Sequence, residues 1–256
     1  MSMTSKKAYA VGMGSFPDGV YRAQFPYYYR NPEGMPQEAA LDYYLNSIKD
    51  VFEQCGPADS IAAIVVQPLQ GEGGFIPAPI EWVKAVRKIC DENGILLVAD
   101  EVQTGFCRTG RMFATQYWEE AGVQPDILAT AKSIAAALKT IEIMERDDLA
   151  GRSCEIGEKV SKRFNEWKEK YPVIGDVRGL GGMIGLEFVK DQKSKEPYPE
   201  FSAAVISGCA KKGLMIEGAG TYGNVIRFLA PLVMTDEQLE AGLDIYESVI
   251  KELLEK

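Results

Sequence analysis

Histidine is absent from all 256 residues. That removes Ser-His-Asp triads, Cys-His pairs and HExxH metal centres from consideration. Cysteine is sparse: Cys55, Cys90, Cys107, Cys154 and Cys209 make five, an odd number with no paired spacing. Such usage suits a reducing cytoplasm better than a disulfide framework or a zinc site, so no metal is expected. No apolar run approaches the ~18 residues of a membrane span. The opening "MSMTSKKAYAVG" lacks a signal peptide's apolar core, so neither a membrane nor export is expected. A GxxxxGK[ST] phosphate loop, an internal repeat and a low-complexity segment are missing too. Basic residues are outnumbered, 28 Lys and Arg against 37 Asp and Glu, for a formal net charge of −9. That balance argues against a nucleic-acid or anionic-membrane surface and leaves room only for a local basic pocket.

What remains is ordinary globular composition, 46% apolar and 25% charged, in a chain long enough for one large domain or two small ones. Three apolar runs in the first half predict buried strands: "IAAIVVQPL" from Ile61, "ILLVADEV" from Ile95 and "DILATAK" from Asp126. Helical patterns separate them, and strands alternating with helices predict parallel βαβ units. The helix "APIEWVKAVRKICDENG" ends at Gly94, a natural C-cap. Another, "PQEAALDYYLNSIKDVFEQCG", precedes the first strand. The upstream "FPDGVYRAQFPYYYRNPEG" has no clear period and reads as a loop, with Tyr27, Tyr28 and Tyr29 expected to pack rather than line a pocket.

From about Ile141 the texture changes to a long helical pattern with an expected break near Gly151. The strands "MIGLEFV", "GLMIEGAG" and "NVIRFLAPL" follow, with the helix "EFSAAVISGCAKKG" between the first two. Thr235 opens the last helix, with Gln238 completing a capping box. A boundary near residue 140 therefore divides an α/β part, residues 1–140, from a small C-terminal α+β domain, residues 141–256. "GDVRGLGGMIG" does not fit GxGxxG and reads as a turn into a strand. "GEGG" at Gly71–Gly74 reads as a tight loop needing positive φ.

Two strand ends carry chemistry-bearing residues. Lys132 follows "DILATA" among small residues, either as a solvated strand end or as a desolvated amine able to act as a nucleophile. Asp100 and Glu101 end the run "LLVADE". They fit a Walker B strand, which fails for want of a phosphate loop, or a capped strand end. A third reading places Asp100 against a cofactor's protonated ring nitrogen at the carboxyl edge of the sheet. Asp100 and Lys132 are 32 residues apart, about one βαβ unit of ~30 residues, which predicts both on the same edge of adjacent strands. A lysine amine beside an aspartate that holds a ring nitrogen is the arrangement pyridoxal 5'-phosphate requires.

The segments "VVQPLQGEGGF", "LLVADEVQTGFCRTG", "ATAKSIAA", "GDVRGLGGMIGLEF" and "NVIRFLAPL", in order over almost the whole chain, resemble the class III pyridoxal-phosphate aminotransferases. The 4-aminobutyrate, or ω-amino acid, branch is the most similar. The resemblance implies an α/β, fold type I PLP-dependent transferase with a truncated large-domain sheet and a small C-terminal domain. It implies a cytoplasmic homodimer or larger oligomer that acts on a small-molecule amino donor and an oxo-acid acceptor. Lys132 matches the Schiff-base lysine and Asp100 the partner of the ring nitrogen. Val102 would pack on the ring, Gln103 would hydrogen-bond the phenolic oxygen, and Arg227 would bind the substrate carboxylate.

Departures from the family pattern carry their own expectations. The family has Glu-Pro before "QGEGG", and that glutamate pairs with the arginine matching Arg227. Here the position is Gln67, so Arg227 is expected to be unmasked, with a shifted preference between mono- and dicarboxylates. The family's ring-stacking aromatic segment and its phosphate-cradling turn are expected to be missing upstream. After "AKSIAA" the chain runs straight into "ALKTIEIM", without the segment that lends a threonine to a neighbour's phosphate. Two readings follow: an aminotransferase subunit, or a catalytically impaired remnant serving as a folding or interaction module.

Overall fold

Where sequence predicts one strand over Ile61–Leu69, the chain makes two. A computed structural model, describing residues 3–4, 10–16, 18–130 and 134–255, has β1 at Ala63–Val66 and β2 at Leu69–Gln70. Pro68 stands between them without an N–H to donate, which interrupts a ladder. β2 pairs antiparallel with β3 (Ile76–Pro77). β4 (Leu96–Asp100) and β5 (Ile127–Ala129) run parallel, and the sheet order is β1-β4-β5.

Helix α1 (Gln37–Gln54) precedes β1, and α2 (Ile80–Asn93) leads into β4. Gly94 stops α2 in the left-handed conformation at φ 67°, as the C-cap reading requires. The short α3 (Gln116–Glu119) lies between β4 and β5. The long helical pattern divides into α4 (Ile134–Arg146) and α5 (Leu149–Lys170). The break falls at Asp147 and Asp148, not at Gly151. Asp148 leaves the helical conformation (φ 44°), and its carboxylate accepts the Gly151 N–H as an N-cap.

Four strands, β6 (Ile174–Leu180), β7 (Met183–Phe188), β8 (Glu217–Ala219) and β9 (Val225–Phe228), form an antiparallel sheet in the order β6-β7-β9-β8. Sequence reading treats β6 only as a glycine-rich lead-in. Its turn character is real but confined to the hairpin after Leu180, which pairs with Met183. Helices α6 (Pro199–Lys211) and α7 (Asp236–Leu254) complete the chain, and Thr235 and Gln238 form both halves of the expected capping box.

By compactness the chain divides into residues 1–64 with 78–97, and residues 65–77 with 98–256. In the first unit Trp82, Val83, Val86 and Cys90 of α2 are buried, as are Ala40, Tyr44 and Ile48 of α1. The tyrosine run is half-buried there, with the Tyr28 ring 6.0 Å from that of Tyr44. Tyr28 donates to Glu81 at 3.0 Å, and Tyr44 donates to the Tyr27 carbonyl. In the second unit Ile156, Val160, Phe164 and Trp167, one turn apart along α5, bury against Ile174, Leu186 and Phe188, with α6 and α7 closing the core.

One buried carboxylate ties α5 to α7. Glu247, 8% exposed, accepts hydrogen bonds from Arg163 (3.0 Å), Lys170 (3.1 Å) and Tyr171 (2.8 Å). Burial by itself would raise its pKa, but these donors, with Lys251, outweigh burial and lower it from 4.5 to about 2. A depressed folded-state value means the stabilisation is complete above about pH 4.5 and is lost as pH falls toward 2. Urea unfolding across that window should show a steeper loss of stability in the parent than in Glu247→Gln. Parallel curves would show that the network contributes nothing.

Candidate functional site

β4 separates its two terminal acids by the strand's two-residue period. Leu97, Ala99 and Glu101 are fully buried. Glu101 accepts from the Thr104 hydroxyl and, at 2.7 Å, from the Thr115 N–H, so it braces the loop after the strand. Asp100 lies on the other face. One of its oxygens accepts the Val102 N–H at 3.1 Å, and the other lies 3.4 Å from the Gln67 amide nitrogen. Both partners are neutral donors, so neither brings a positive charge to the Asp100 carboxylate. Val102 next to it is 52% exposed, an apolar side chain without a protein cover.

Parallel pairing places Ala129 opposite Asp100, and the Glu101 N–H donates to the Ala129 carbonyl at 3.0 Å. The expected adjacency of the two strand ends is therefore present. Lys132 itself lies outside the described residues.

The β2–β3 loop joins the remaining pieces. At Gly71 an added Cβ would lie 1.4 Å from the Gln103 amide oxygen, so the missing side chain leaves the space Gln103 occupies. Positive φ, expected along "GEGG", is confined to Gly74 (φ 107°); Gly71 is required for room, not for conformation. The Gly74 carbonyl accepts from Arg178 Nε at 2.8 Å. Arg178 in turn bridges Asp176 and the buried Glu187, each at 2.8 Å, which anchors the loop to the second sheet.

Arg227 on β9 is not unmasked. Its Nη1 donates to Glu72 and its Nη2 to Glu217, each at 2.8 Å. Gln67, expected beside this arginine, bonds Asp100 instead. The carboxylate absent from position 67 is replaced by one five residues on, in the β2–β3 loop, and by another across the β8–β9 strand pair. Sequence reasoning missed both as partners. Glu72 stood inside the "QGEGG" segment already singled out, whereas nothing local marks Glu217.

The family model for class-III aminotransferases matches residues 1–136 and 133–250, and the chain belongs to that family. It is 38% identical over 287 aligned residues to the "Probable 4-aminobutyrate aminotransferase" of Bacillus subtilis (strain 168), covering 98% of this chain and 65% of that protein. It is 39% identical over 280 residues to the 5-aminovalerate aminotransferase DavT of Pseudomonas putida, covering 96% and 63%. Among solved structures it matches, with a TM-score of 0.84 and 27% identity, an amine transaminase from an uncultivated Pseudomonas species in the PLP-bound (internal aldimine) form, covering 96% and 64%. The fold is that of the fold type I PLP-dependent transaminases. The chain spans about 65% of the length of the relatives it matches. Its family match divides at residues 133–136, directly after Lys132.

Class III aminotransferases use pyridoxal phosphate. The donor set fits the ring of that cofactor. Asp100 is a carboxylate held by two neutral donors, which suits a protonated ring nitrogen, and Gln103 is seated where Gly71 leaves space. Among the described residues no cluster of potential ligands could hold a metal ion, and no helix is long and apolar enough to cross a membrane.

Proposed function

We propose that the chain is the cofactor- and substrate-binding part of a pyridoxal-phosphate-dependent aminotransferase. It would move an amino group from 4-aminobutyrate, or a similar ω-amino acid, to a 2-oxo acid such as 2-oxoglutarate, in the cytoplasm. The observation that carries this reading is Asp100, held between the Gln67 amide and the Val102 N–H at the strand end beside β5. The names of the most similar relatives support the choice of amino donor.

When bound, the cofactor supplies an aldehyde that exchanges with amines and a protonated ring that withdraws electrons. Asp100 would pair with the protonated ring nitrogen, while Gln67 and Val102 fix the orientation of its carboxylate. Val102 would pack on a ring face, Gln103 would donate to the phenolic oxygen, and Lys132 would provide the amine that carries the cofactor and moves the substrate's proton. Arg227 orients the substrate through its carboxylate. Residues 1–140 serve as the cofactor part and residues 141–256 as the small domain. Val65, Leu96, Ile127 and Leu128 are exposed apolar strand residues, 37–47% accessible, which favours assembly into a homodimer or larger species.

Incubation with pyridoxal phosphate should produce a near-ultraviolet to visible absorbance band. Borohydride should then fix the cofactor on a peptide containing Lys132. Labelling of scattered surface lysines with Lys132 untouched would defeat the reading. The division of the family match just after Lys132 favours a second reading, a non-catalytic remnant of the fold, and the same experiment separates the two.

A further inference from the structure

We infer that the guanidinium of Arg108 is a separate anion site, built to take a singly charged carboxylate that carries a short apolar tail. The proposed reaction gives Arg108 no part, so the site stands or falls on its own.

Other covered arginines in the chain are neutralised. Arg152, Arg163, Arg178 and Arg227, with side chains 9–27% exposed, each hold at least two carboxylates within 3.2 Å. Arg108 is half-buried as well, yet among the described residues it has no carboxylate partner. Its one side-chain hydrogen bond there runs from Nη1 to the Ala230 carbonyl at 3.0 Å. Burial lowers its pKa from the usual arginine value, the direction expected of a guanidinium with no carboxylate beside it. A covered cation without a counter-charge is costly. Carboxylates are in surplus here, 37 acids against 28 bases, so this arginine is not left over for want of acids.

The backbone beneath Arg108, in the loop between β4 and α3, is fixed. Cys107 and Thr109 on either side are buried, the Arg108 carbonyl accepts the Ser153 hydroxyl at 2.9 Å, and Tyr117 donates to the Thr109 carbonyl at 2.7 Å. Phe106 and Cys107 just before it are left-handed, at φ 60° and 67°, a conformation that residues with a side chain hold only when the surroundings impose it. A donor presented from so constrained a loop has little freedom left to lose on binding.

With Nη1 on Ala230, Nε and Nη2 leave one edge of the planar fork for two parallel hydrogen bonds, which match the two oxygens of a carboxylate. One positive charge balances one negative charge. A phosphate dianion would leave an excess negative charge in a chain already at −9. The segment that Arg108 reaches is apolar and open, since Leu229 is 38% exposed and Pro231 and Val233 are exposed too. That surface suits an alkyl tail.

The test titrates the whole chain with butyrate, which has a carboxylate and an alkyl tail but no amine or keto group. Binding is followed by NMR with nitrogen-15 in the arginine side chains, and thermal melting checks that each variant folds. The Arg108 Nε–H signal should shift saturably. Arg108→Gln, whose amide can still donate to the Ala230 carbonyl, should weaken binding by about tenfold or more, the effect of losing one charge-assisted fork. Arg108→Lys, which keeps the charge without the fork, should fall between the two. Arg227→Gln should bind butyrate within twofold of the parent, and inorganic phosphate should bind the parent less tightly than butyrate does. An Arg108 signal that does not move in the parent overturns the site, and that measurement needs no variant to fold. Parental affinity in a folded Arg108→Gln overturns it too. If binding is instead lost in a folded Arg227→Gln, the carboxylate sits on β9 and the Arg108 site fails. Phosphate binding more tightly than butyrate would overturn the assignment to a carboxylate.

Discussion

In Asp100→Asn, amino-group exchange between 4-aminobutyrate and 2-oxoglutarate should fall by about 10²–10³-fold, the usual cost of removing one preorganised electrostatic partner from a reacting group. The substitution is nearly isosteric. The remaining side-chain oxygen can still accept the Val102 N–H, and the strand pairing of Asp100 with Ala129 is made by backbone. Folding should therefore be close to parental, with thermal melting as the control. What the amide lacks is the charge that holds a proton on the ring nitrogen, and with it the electron withdrawal that the exchange depends on. Rapid mixing of the cofactor-loaded protein with 4-aminobutyrate, followed by absorbance, reads the half-reaction directly. A parental rate in the variant would show that the chemistry does not run through this residue.

The largest expected loss of stability comes from one added methyl group. Gly157 lies on the buried face of α5, where a Cβ would stand 2.0 Å from the Gly181 carbonyl oxygen and 2.5 Å from its carbon. These are backbone atoms of the β6–β7 turn. They cannot swing aside as a side chain could, because Ser153 pins the same turn, accepting the Gly182 N–H and donating to the Arg108 carbonyl, both at 2.9 Å. Helix propensity favours Gly157→Ala by about 1 kcal/mol. Overpacking of this kind costs about 1–3 kcal/mol, and more where backbone must move. The clash with backbone should win, lowering the urea midpoint of Gly157→Ala by an amount equivalent to up to about 2 kcal/mol once the helix-propensity gain is subtracted. A variant as stable as the parent would show that helix and turn can separate freely. Gly71→Ala makes the contrast: the atom it meets is the end of the Gln103 side chain, which can move, so the damage there falls on the site and not on the fold.

Much of the site was legible before any coordinates. Asp100 stands at the end of an apolar run, one βαβ length from Lys132, and the parallel pairing of β4 with β5 puts the two strand ends side by side. Burial sets Glu101 apart from its neighbour as a bracing residue of the loop after the strand. Adjacent strand residues face opposite ways, but no local feature says which face the core will cover. The masking of Arg227 is invisible locally for a different reason. The missing carboxylate was sought at Gln67, the family's position, while Glu72 and Glu217 supply it from elsewhere.

The sequence by itself determined what depends on residues a few positions apart. The Thr235–Gln238 capping box, the left-handed stop at Gly94 and the alternation of strand with helix all rest on bonds and steric limits within one turn or one strand. Only the tertiary structure decided the partners of Gln67, Arg178 and Arg227. Glu72 precedes Arg227 by 155 residues. Their meeting is set by the β2–β3 loop and the β8–β9 register together, because a charged side chain pairs with whichever opposite charge the fold brings within reach, and that geometry is a property of the packed chain rather than of any segment of it.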